Sequence, residues 1–583
     1  MKHFNLYLFL TILLFLSLQN NADAQTLPYD SIPVNQNLNA LLLQSAIRSE
    51  LSQLEVDSNP ISIFITHWYE THDFQPVWIQ SHENNLKIDT LLRFISHIDV
   101  HGLKSGQLDF NNISKLSNQF KNNKLNYRQM AQLDTKVSTA FIQYCAGMTY
   151  GFINPGIFEA YHKSIQKADT VFIAKCFNAG KSHLLYFLSR IQPKSKAYLS
   201  LQAERDNYKN FVDSSFASIP LLAEKQTIKL NSYHPSIPLI ARRLMITGEL
   251  KYDPNFRQSY QTFNLKLLKA LNKFRIKTGL LIDQEIGNGT IGALNMTFDE
   301  YIDKINVNLE RLRWVPLTSL GKKYIRVNVA DMTLNAFRND TVALNMKVCV
   351  GRQKNMTPLL QSKIFELVIN PTWTVPRSII VNEIARIALH DISYFERNHI
   401  RVYLREVEID PSKVDWTKIT VNYQPYKMVQ DSGNANSLGR IKFNFKNDFS
   451  VYLHDTNAKG AFKHHDRAIS HGCVRVEKPV ELVNFCFPDL PTNYKTQIQK
   501  NQLLIDKIRH SIDLGVISQS GKDALKKFPN SMKIKRVVLN PSIPIVMDYQ
   551  TCFINPTGKI QFRDDIYKLD SLLSKQLSAI HQN

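Results

Sequence analysis

The sequence predicts a multidomain α+β protein, with a helical first half and a β-rich second half that carries an inserted helical lid. Three observations lead there. At 583 residues the chain is too long for one ordinary domain, since domains run to about 150 residues. Up to about Ala223, apolar residues recur at helical spacing, as in Leu91-Leu92-Arg93-Phe94-Ile95, with Pro60, Pro76, Pro155 and Pro193 as punctuation. From Tyr324 onward they alternate in period two, the signature of half-buried strands.

Taken in order, residues 1–24 begin with basic Met1-Lys2-His3, continue through a largely apolar run from Phe4 to Leu18, and reach Ala22-Asp23-Ala24. That basic, apolar, small-x-small order predicts a secretory signal peptide cut after Ala24. The run is short against the roughly 20 residues of a spanning helix, which favours cleavage and leaves retention as a membrane anchor as the alternative. Residues 25–235 are read as a helical domain without any grouping of acid, base and nucleophile. Residues 236–300 form a small three-helix module: Phe263, Leu267, Leu271 and Phe274 share one helical face, and Asp283-Gln284-Glu285-Ile286-Gly287 turns into a second helix opening near Thr290. Residues 301–320 are read as a linker. Residues 321–575 supply the strands, among them Tyr324–Val329, Leu344–Val350, Ile364–Ile369, Ile441–Phe445 and Val451–His454. Two excursions interrupt them. Residues 382–440 are long for a passive loop and are expected to be a helical lid over a site; residues 500–530 are read as a second, polar helical insertion.

Charge and cysteines narrow the function. Lys and Arg number 71 against 50 Asp and Glu, a net charge of +21. Such a surface suits a polyanion, and predicted export selects an anionic wall polymer or membrane face over nucleic acid. A mean hydropathy of −0.24 excludes a polytopic membrane protein. The six cysteines, at 145, 176, 349, 473, 486 and 552, form no CxxC and no regular disulfide framework.

One constellation carries chemistry. Val451-Tyr452-Leu453-His454-Asp455-Thr456 places a histidine at a strand end, and Ser470-His471-Gly472-Cys473-Val474-Arg475 places a cysteine after a glycine turn. A thiol becomes a strong nucleophile as thiolate, and a nearby imidazole can take its proton. Gly472 permits close backbone approach, the amides around Cys473 suit a tetrahedral oxyanion, and Arg475 is a planar cation suited to a carboxylate. Trp373 is read either as core or as a wall of the substrate site.

The complete string resembles the active-site signature of the L,D-transpeptidases, the YkuD-type catalytic domain. Val350-Gly351-Arg352, Thr357-Pro358 and Asn370-Pro371-Thr372-Trp373-Thr374-Val375-Pro376 resemble that domain's earlier strands. Gly558–Tyr567 near the end, and Trp68-Tyr69, Phe74–Trp78 and His101-Gly102-Leu103 near the start, resemble its large Gram-negative subfamily. The small module resembles a peptidoglycan-binding domain, with Gln284 where that family has glycine after Asp283. The resemblance implies that Cys473 is the acylated nucleophile and His454 its proton acceptor and donor. It gives Ser470, His471, Gly472, Arg475 and Trp373 supporting roles toward substrate or oxyanion. It further implies a peptidoglycan L,D-transpeptidase in the periplasm, needing no cofactor or metal, that joins third-position diamino acids of stem peptides and works beside cell-wall synthases. A histidine oriented by a backbone carbonyl is the family's habit.

Other readings stand beside this one. The same site acting with water gives an L,D-carboxypeptidase, and with a free D-amino acid an exchange enzyme. A non-catalytic wall-binding scaffold would have lost the motif's Cys, His or Gly, and all three are present. His454, His464, His465, His471, Cys473 and Cys486 fit no usual zinc spacing. A papain-like peptidase would need the opposite chain order of Cys and His.

Overall fold

The computed structural model describes residues 39–54, 60–79, 86–161, 169–211, 217–315, 320–433, 435–488 and 534–580. The expected signal peptide and the expected polar insertion at 500–530 lie outside the described residues. The chain divides into two compact units, one holding the N-terminal residues through Phe152 together with the 169–192 helix, the other holding residues from Pro193 to Ser578 and the short 153–161 segment. The two units do not follow secondary structure: helices run on to Trp314, inside the second unit, and the β-rich part begins at Lys323, the order of helical then β-rich segments that the periodicities predict.

In the first unit the helices Ala40–Leu54, Pro60–Thr71, Leu86–Ser96, Phe110–Lys121 and Thr170–Ile191 surround the helix Tyr127–Tyr150, which is buried along most of its length. That helix opens on a capping box, the Asn126 side chain accepting from Gln129 N–H and the Gln129 side chain from Asn126 N–H. Its Asp134 is fully buried. The carboxylate accepts the N–H groups of Val77, Trp78 and Ile79 at 2.8–3.0 Å and the Tyr69 hydroxyl at 2.6 Å, so an otherwise costly buried charge is satisfied on every side.

The second unit begins with the helix Lys196–Lys209 and the small module. Helices Ile237–Ile246, Leu265–Thr278 and Asn288–Asn295 pack around Ile240, Leu244, Phe263, Leu271, Phe274 and Ile291. The same core takes in Ile219 and Ile228, so the module starts before residue 236. The expected linker at 301–320 is largely a helix, Phe298–Trp314, whose last turns are buried on all sides. Glu310 there accepts from Ile153 N–H at 2.7 Å, Trp314 Nε1 at 3.0 Å and the Arg313 guanidinium at 2.5 Å. Arg311 reaches Asp570 and Thr551. The charges of the expected linker are paired inside.

The β-rich domain opens with β1 (Lys323–Asn328), β2 (Thr333–Arg338), β3 (Thr341–Gly351) and β4 (Leu360–Ile369). The insertion then contributes β5 (Trp373–Thr374), β6 (Ile400–Leu404), β7 (Val407–Ile409) and β8 (Tyr426–Gln430), after which come β9 (Ile441–Phe445), β10 (Leu453–His454), β11 (Ala468–Ser470), β12 (Val474–Val476) and β13 (Lys535–Asp548). A hairpin of β14 (Cys552–Ile554) and β15 (Ile560–Phe562) precedes a closing helix, Leu569–Ala579. The main sheet runs β11-β3-β12-β10-β9-β4-β13-β1-β2, and β2 pairs with β3 as well. That extra pairing joins the two sides of the sheet into a ring, with β11 attached at the end of β3. Inward residues alternate along the strands as the pleat requires: Ile441, Phe443 and Phe445 of β9, Leu453 of β10, Val474 and Val476 of β12.

The insertion is not purely helical and does not start at 382. Its strands form a separate antiparallel sheet, β5-β8-β6-β7, which begins at Trp373 and ends at Gln430. Short helical turns between Arg377 and Arg397 cover it, burying Ile380, Ile384, Phe395, Trp416 and Met428 in a core of their own. The helical spacing visible from Asn382 is real; β5 and β7, of two and three residues, are too short to show period two in a sequence, whereas β6 and β8 have five residues each, as β9 does.

Candidate active site

The site grows out of the junction of β10 and β12, which pair in parallel with Leu453 opposite Val474 and His454 opposite Arg475. Cys473 immediately precedes β12, and Val474 N–H donates to the Tyr452 carbonyl at 3.1 Å. The cysteine therefore enters the sheet directly beside the histidine's strand, which is how two residues 19 apart in sequence converge. The turn before it is held from both sides. Gly472 has φ +114°, a conformation that a side chain would strain. Ser470 Oγ donates to the Cys473 carbonyl at 2.7 Å and accepts the Gly472 N–H at 3.1 Å. Thr357 Oγ1 donates to the Gly472 carbonyl at 2.8 Å and accepts the Gly351 N–H at 2.8 Å. Tyr567, from the far end of the chain, accepts from Thr357 N–H and donates to the Gly351 carbonyl.

This network sorts the predicted supporting residues. Ser470 acts as a brace inside the turn. Gly472 supplies a backbone shape, and its N–H is already engaged. The Cys473 N–H donates to no protein acceptor among the described residues, an amide of the kind that can receive an oxyanion. His471 points to the insertion, its Nε2 lying 2.6 Å from Glu383 Oε1.

His454 is buried, and its Nδ1 lies 2.5 Å from the Asp455 carbonyl oxygen. A carbonyl only accepts, so Nδ1 carries the proton and Nε2 is the basic nitrogen. Burial, with the cations Arg475, Lys442 and Lys459 adding to it, pushes the imidazole down to about 3, so it is a neutral base at any ordinary pH. Cys473 is half-buried, and burial pushes its thiol above the ordinary value, with Tyr452, Lys442 and Arg475 pulling the other way. Its sulfur lies 3.9 Å from the Ser450 carbonyl and beside the Tyr452 hydroxyl, not hydrogen-bonded to His454. The other five cysteines are buried thiols.

Three side chains at the site escaped the reading of the sequence. Tyr452 stands edge-on to His454, ring centroids 5.6 Å apart, with its hydroxyl near both Cys473 and the Trp373 indole of β5. Trp373 thus joins the site through Tyr452. Lys442 on β9 lies opposite His454, its ammonium 3.8 Å from the Tyr452 ring centroid. Glu383 comes from the insertion. The alternation Ile441, Lys442, Phe443 did mark Lys442 as facing away from the core, but only strand pairing puts it beside the histidine. Among the described residues no three His, Cys, Asp or Glu side chains gather as metal ligands.

Comparison with known proteins gives this geometry a family. The model of the L,D-transpeptidase catalytic domain, YkuD, matches residues 322–492, and that of a scaffold domain matches residues 64–204. A protein of Haemophilus influenzae named as a candidate L,D-transpeptidase is 33% identical over 205 residues, 35% of this chain; the match spans 40% of that relative's length. Among solved structures, an L,D-transpeptidase from Xylanimonas cellulosilytica is 12% identical, covering 46% of this chain and 94% of that one at a TM-score of 0.16. The Ldtfm–avibactam carbamoyl enzyme is 11% identical, covering 50% and 95% at 0.17. The assignment rests on the sequence matches. Residues 322–492, with the His454 and Cys473 strands in their last third, are an L,D-transpeptidase catalytic domain of the YkuD family, carried on one chain with a scaffold domain.

Proposed function

We propose that the protein is a peptidoglycan L,D-transpeptidase that joins the third-position diamino acids of neighbouring stem peptides and releases the terminal D-alanine of the donor. The observation that carries this reading is the protonated Nδ1 of His454 on the Asp455 carbonyl, which leaves a neutral Nε2 next to the Cys473 turn. His454 Nε2 takes the thiol proton, and the Cys473 sulfur attacks the carbonyl of the donor's third residue. The tetrahedral oxyanion is received by the Cys473 N–H. His454 returns the proton to the departing D-alanine amine, leaving a thioester. The side-chain amine of an acceptor stem then attacks the thioester, His454 takes its proton, and the cross-linked peptide leaves as the thiol is restored.

The acyl-enzyme has a choice between amine and water. An insertion with its own core, reaching the motif through Glu383 and Trp373, supports a site that shields the thioester and favours aminolysis over hydrolysis. Hydrolysis on the same residues would make the protein an L,D-carboxypeptidase, and a free D-amino acid as acceptor would make it an exchange enzyme. The net charge of +21 and the leader-like first 24 residues support action on an anionic wall in the periplasm, beside the cell-wall synthases.

Incubation of the purified protein with disaccharide-tetrapeptides, products read by mass, tests the proposal. Cross-linked dimer with loss of D-alanine, absent from Cys473→Ala, is the expected result. Tripeptide without dimer makes the enzyme a carboxypeptidase. Neither product, from a folded protein whose Cys473 reacts with thiol reagents, overturns the catalytic reading.

A further inference from the structure

Strand pairing sets three side chains in one lateral row: Lys442 of β9 opposite His454 of β10, and Arg475 of β12 opposite His454 on its other side. Directly opposed residues share a sheet face, and the neighbours of this row (Ile441, Phe443, Leu453, Val474, Val476) fill the core on the other face. Two cations therefore flank the imidazole on the face that carries the site. Both are half-buried, and neither side chain has a hydrogen-bond or ion-pair partner among the described residues. Glu366 of the adjoining β4 and Asp455, next after His454, are committed elsewhere. Glu366 accepts from Asn444 at 2.6 Å and pairs with Arg536 at 3.1 Å, while Asp455 takes the Lys459 ammonium and the Arg440 N–H.

Two like charges beside a base disfavour one another and its protonated form. A protein that keeps them without an internal anion has placed them for an external one. The Lys442 ammonium stands 3.8 Å from the Tyr452 ring centroid, and the Tyr452 hydroxyl lies near the Cys473 sulfur, so an anion on Lys442 would sit close to the carbonyl under attack. A donor stem offers a carboxylate on each side of that carbonyl: one on the leaving D-alanine, one on the far centre of the diamino acid.

We infer that Lys442 is a substrate-binding residue that pairs with a carboxylate of the donor stem peptide beside the scissile bond. This assignment rests on the function proposed above. A lysine that merely favoured the thiolate would be indifferent to the donor's own charge, and that difference is measurable.

Binding is measured by calorimetry on Cys473→Ala protein, which cannot turn over. Three donors are compared: the native disaccharide-tetrapeptide, its C-terminal amide, and the form with the diamino acid carboxylate amidated. Lys442→Met should weaken the native donor about tenfold or more, and Lys442→Arg should retain most of the affinity. One of the two amides should bind the Lys442 protein as weakly as native donor binds Lys442→Met, with no further loss on that variant; which amide does so names the carboxylate. Equal weakening of all three donors by Lys442→Met, or none, overturns the assignment and leaves Lys442 as a support for Tyr452. D-Alanine release by protein with Cys473 intact reports separately on the reaction. Release with charge-blind binding removes the lysine site and keeps the cysteine acyl-transfer reaction, whichever acceptor resolves it. Charge-dependent binding without release does the reverse.

Discussion

His454 Nδ1 and the carbonyl oxygen of Asp455 lie 2.5 Å apart, and this contact sets the tautomer and the ring plane of the base. The carbonyl is itself held. Asp455 N–H donates to Ile441 at 2.8 Å, and the Asp455 carboxylate accepts the Arg440 N–H at 2.9 Å and the Lys459 ammonium. That carboxylate packs where a side chain on Gly439 would stand, and Gly439 itself has φ +63°. Asp455→Ala should therefore act through His454. The expected outcome is a fall of about 10- to 100-fold in the rate of Cys473 acylation, with donor affinity measured on the Cys473→Ala background nearly unchanged. A loss of affinity in place of rate would mean that Asp455 shapes the pocket and not the base.

The charge state of the pair predicts a pH profile. With His454 pushed down to about 3 and the Cys473 thiol pushed up by burial, the resting pair between pH 4 and 7 is neutral imidazole and neutral thiol, not thiolate and imidazolium. Alkylation of Cys473 by iodoacetamide should rise steadily with pH through this range, its midpoint above that of an ordinary thiol. A plateau established by pH 5 would show a preformed ion pair and contradict the geometry. Removing one flanking cation, as in Arg475→Met, should raise the His454 pKa, because repulsion of its protonated form falls; burial, the largest cause, keeps it below the ordinary imidazole value.

Glu383 ties the insertion to the motif through His471 at 2.6 Å. Their side chains are 43% and 27% exposed, so the pair itself contributes no more than about 1 kcal/mol. Its effect is positional. Glu383→Ala should leave the melting temperature nearly unchanged but raise the share of acyl-enzyme lost to water a few-fold at saturating acceptor, read as tripeptide against dimer by mass. Glu383→Gln, whose amide oxygen still accepts from an imidazole N–H, should restore most of the partition. An unaltered ratio in both variants would separate the insertion from control of water.

The sequence carried the halves of the fold and the identity of the motif residues, because period and motif are local properties. It could not carry what depends on strand pairing. Lys442 lies 12 residues before His454 and 31 before Cys473, and nothing local connects it to either until β9, β10 and β12 align. Asp455 was visible as part of the motif, but the atom that matters is its main-chain oxygen. Tyr567 and Thr357 meet across 210 residues. Of the insertion's strands, β5 and β7 are too short to show a period, while β6 and β8 are as long as β9 but lie beside a stretch whose helical spacing dominates the pattern. The failed linker has a different cause: Glu310, Arg311 and Arg313 look solvated when each is weighed alone, and only their partners show them to be interior.

Those partners give the last prediction. Glu310 is fully buried and is the common acceptor for Ile153 N–H, Trp314 Nε1 and the Arg313 guanidinium, while Arg313 also reaches the Tyr198 hydroxyl at 2.5 Å. Glu310→Ala would leave the buried Arg313 charge without its carboxylate and two N–H donors without an acceptor. Loss of one partner from such a pair costs about 3–5 kcal/mol. Thermal unfolding should therefore shift to clearly lower temperature. Glu310→Gln, which keeps an acceptor oxygen but not the charge, should fall between the variant and the native protein. The double variant Glu310→Ala, Arg313→Met removes the stranded cation and should recover part of the loss, so that the two substitutions are less than additive. Additive losses would mean that Glu310 stabilises the fold through its N–H partners alone, with the buried ion pair contributing nothing.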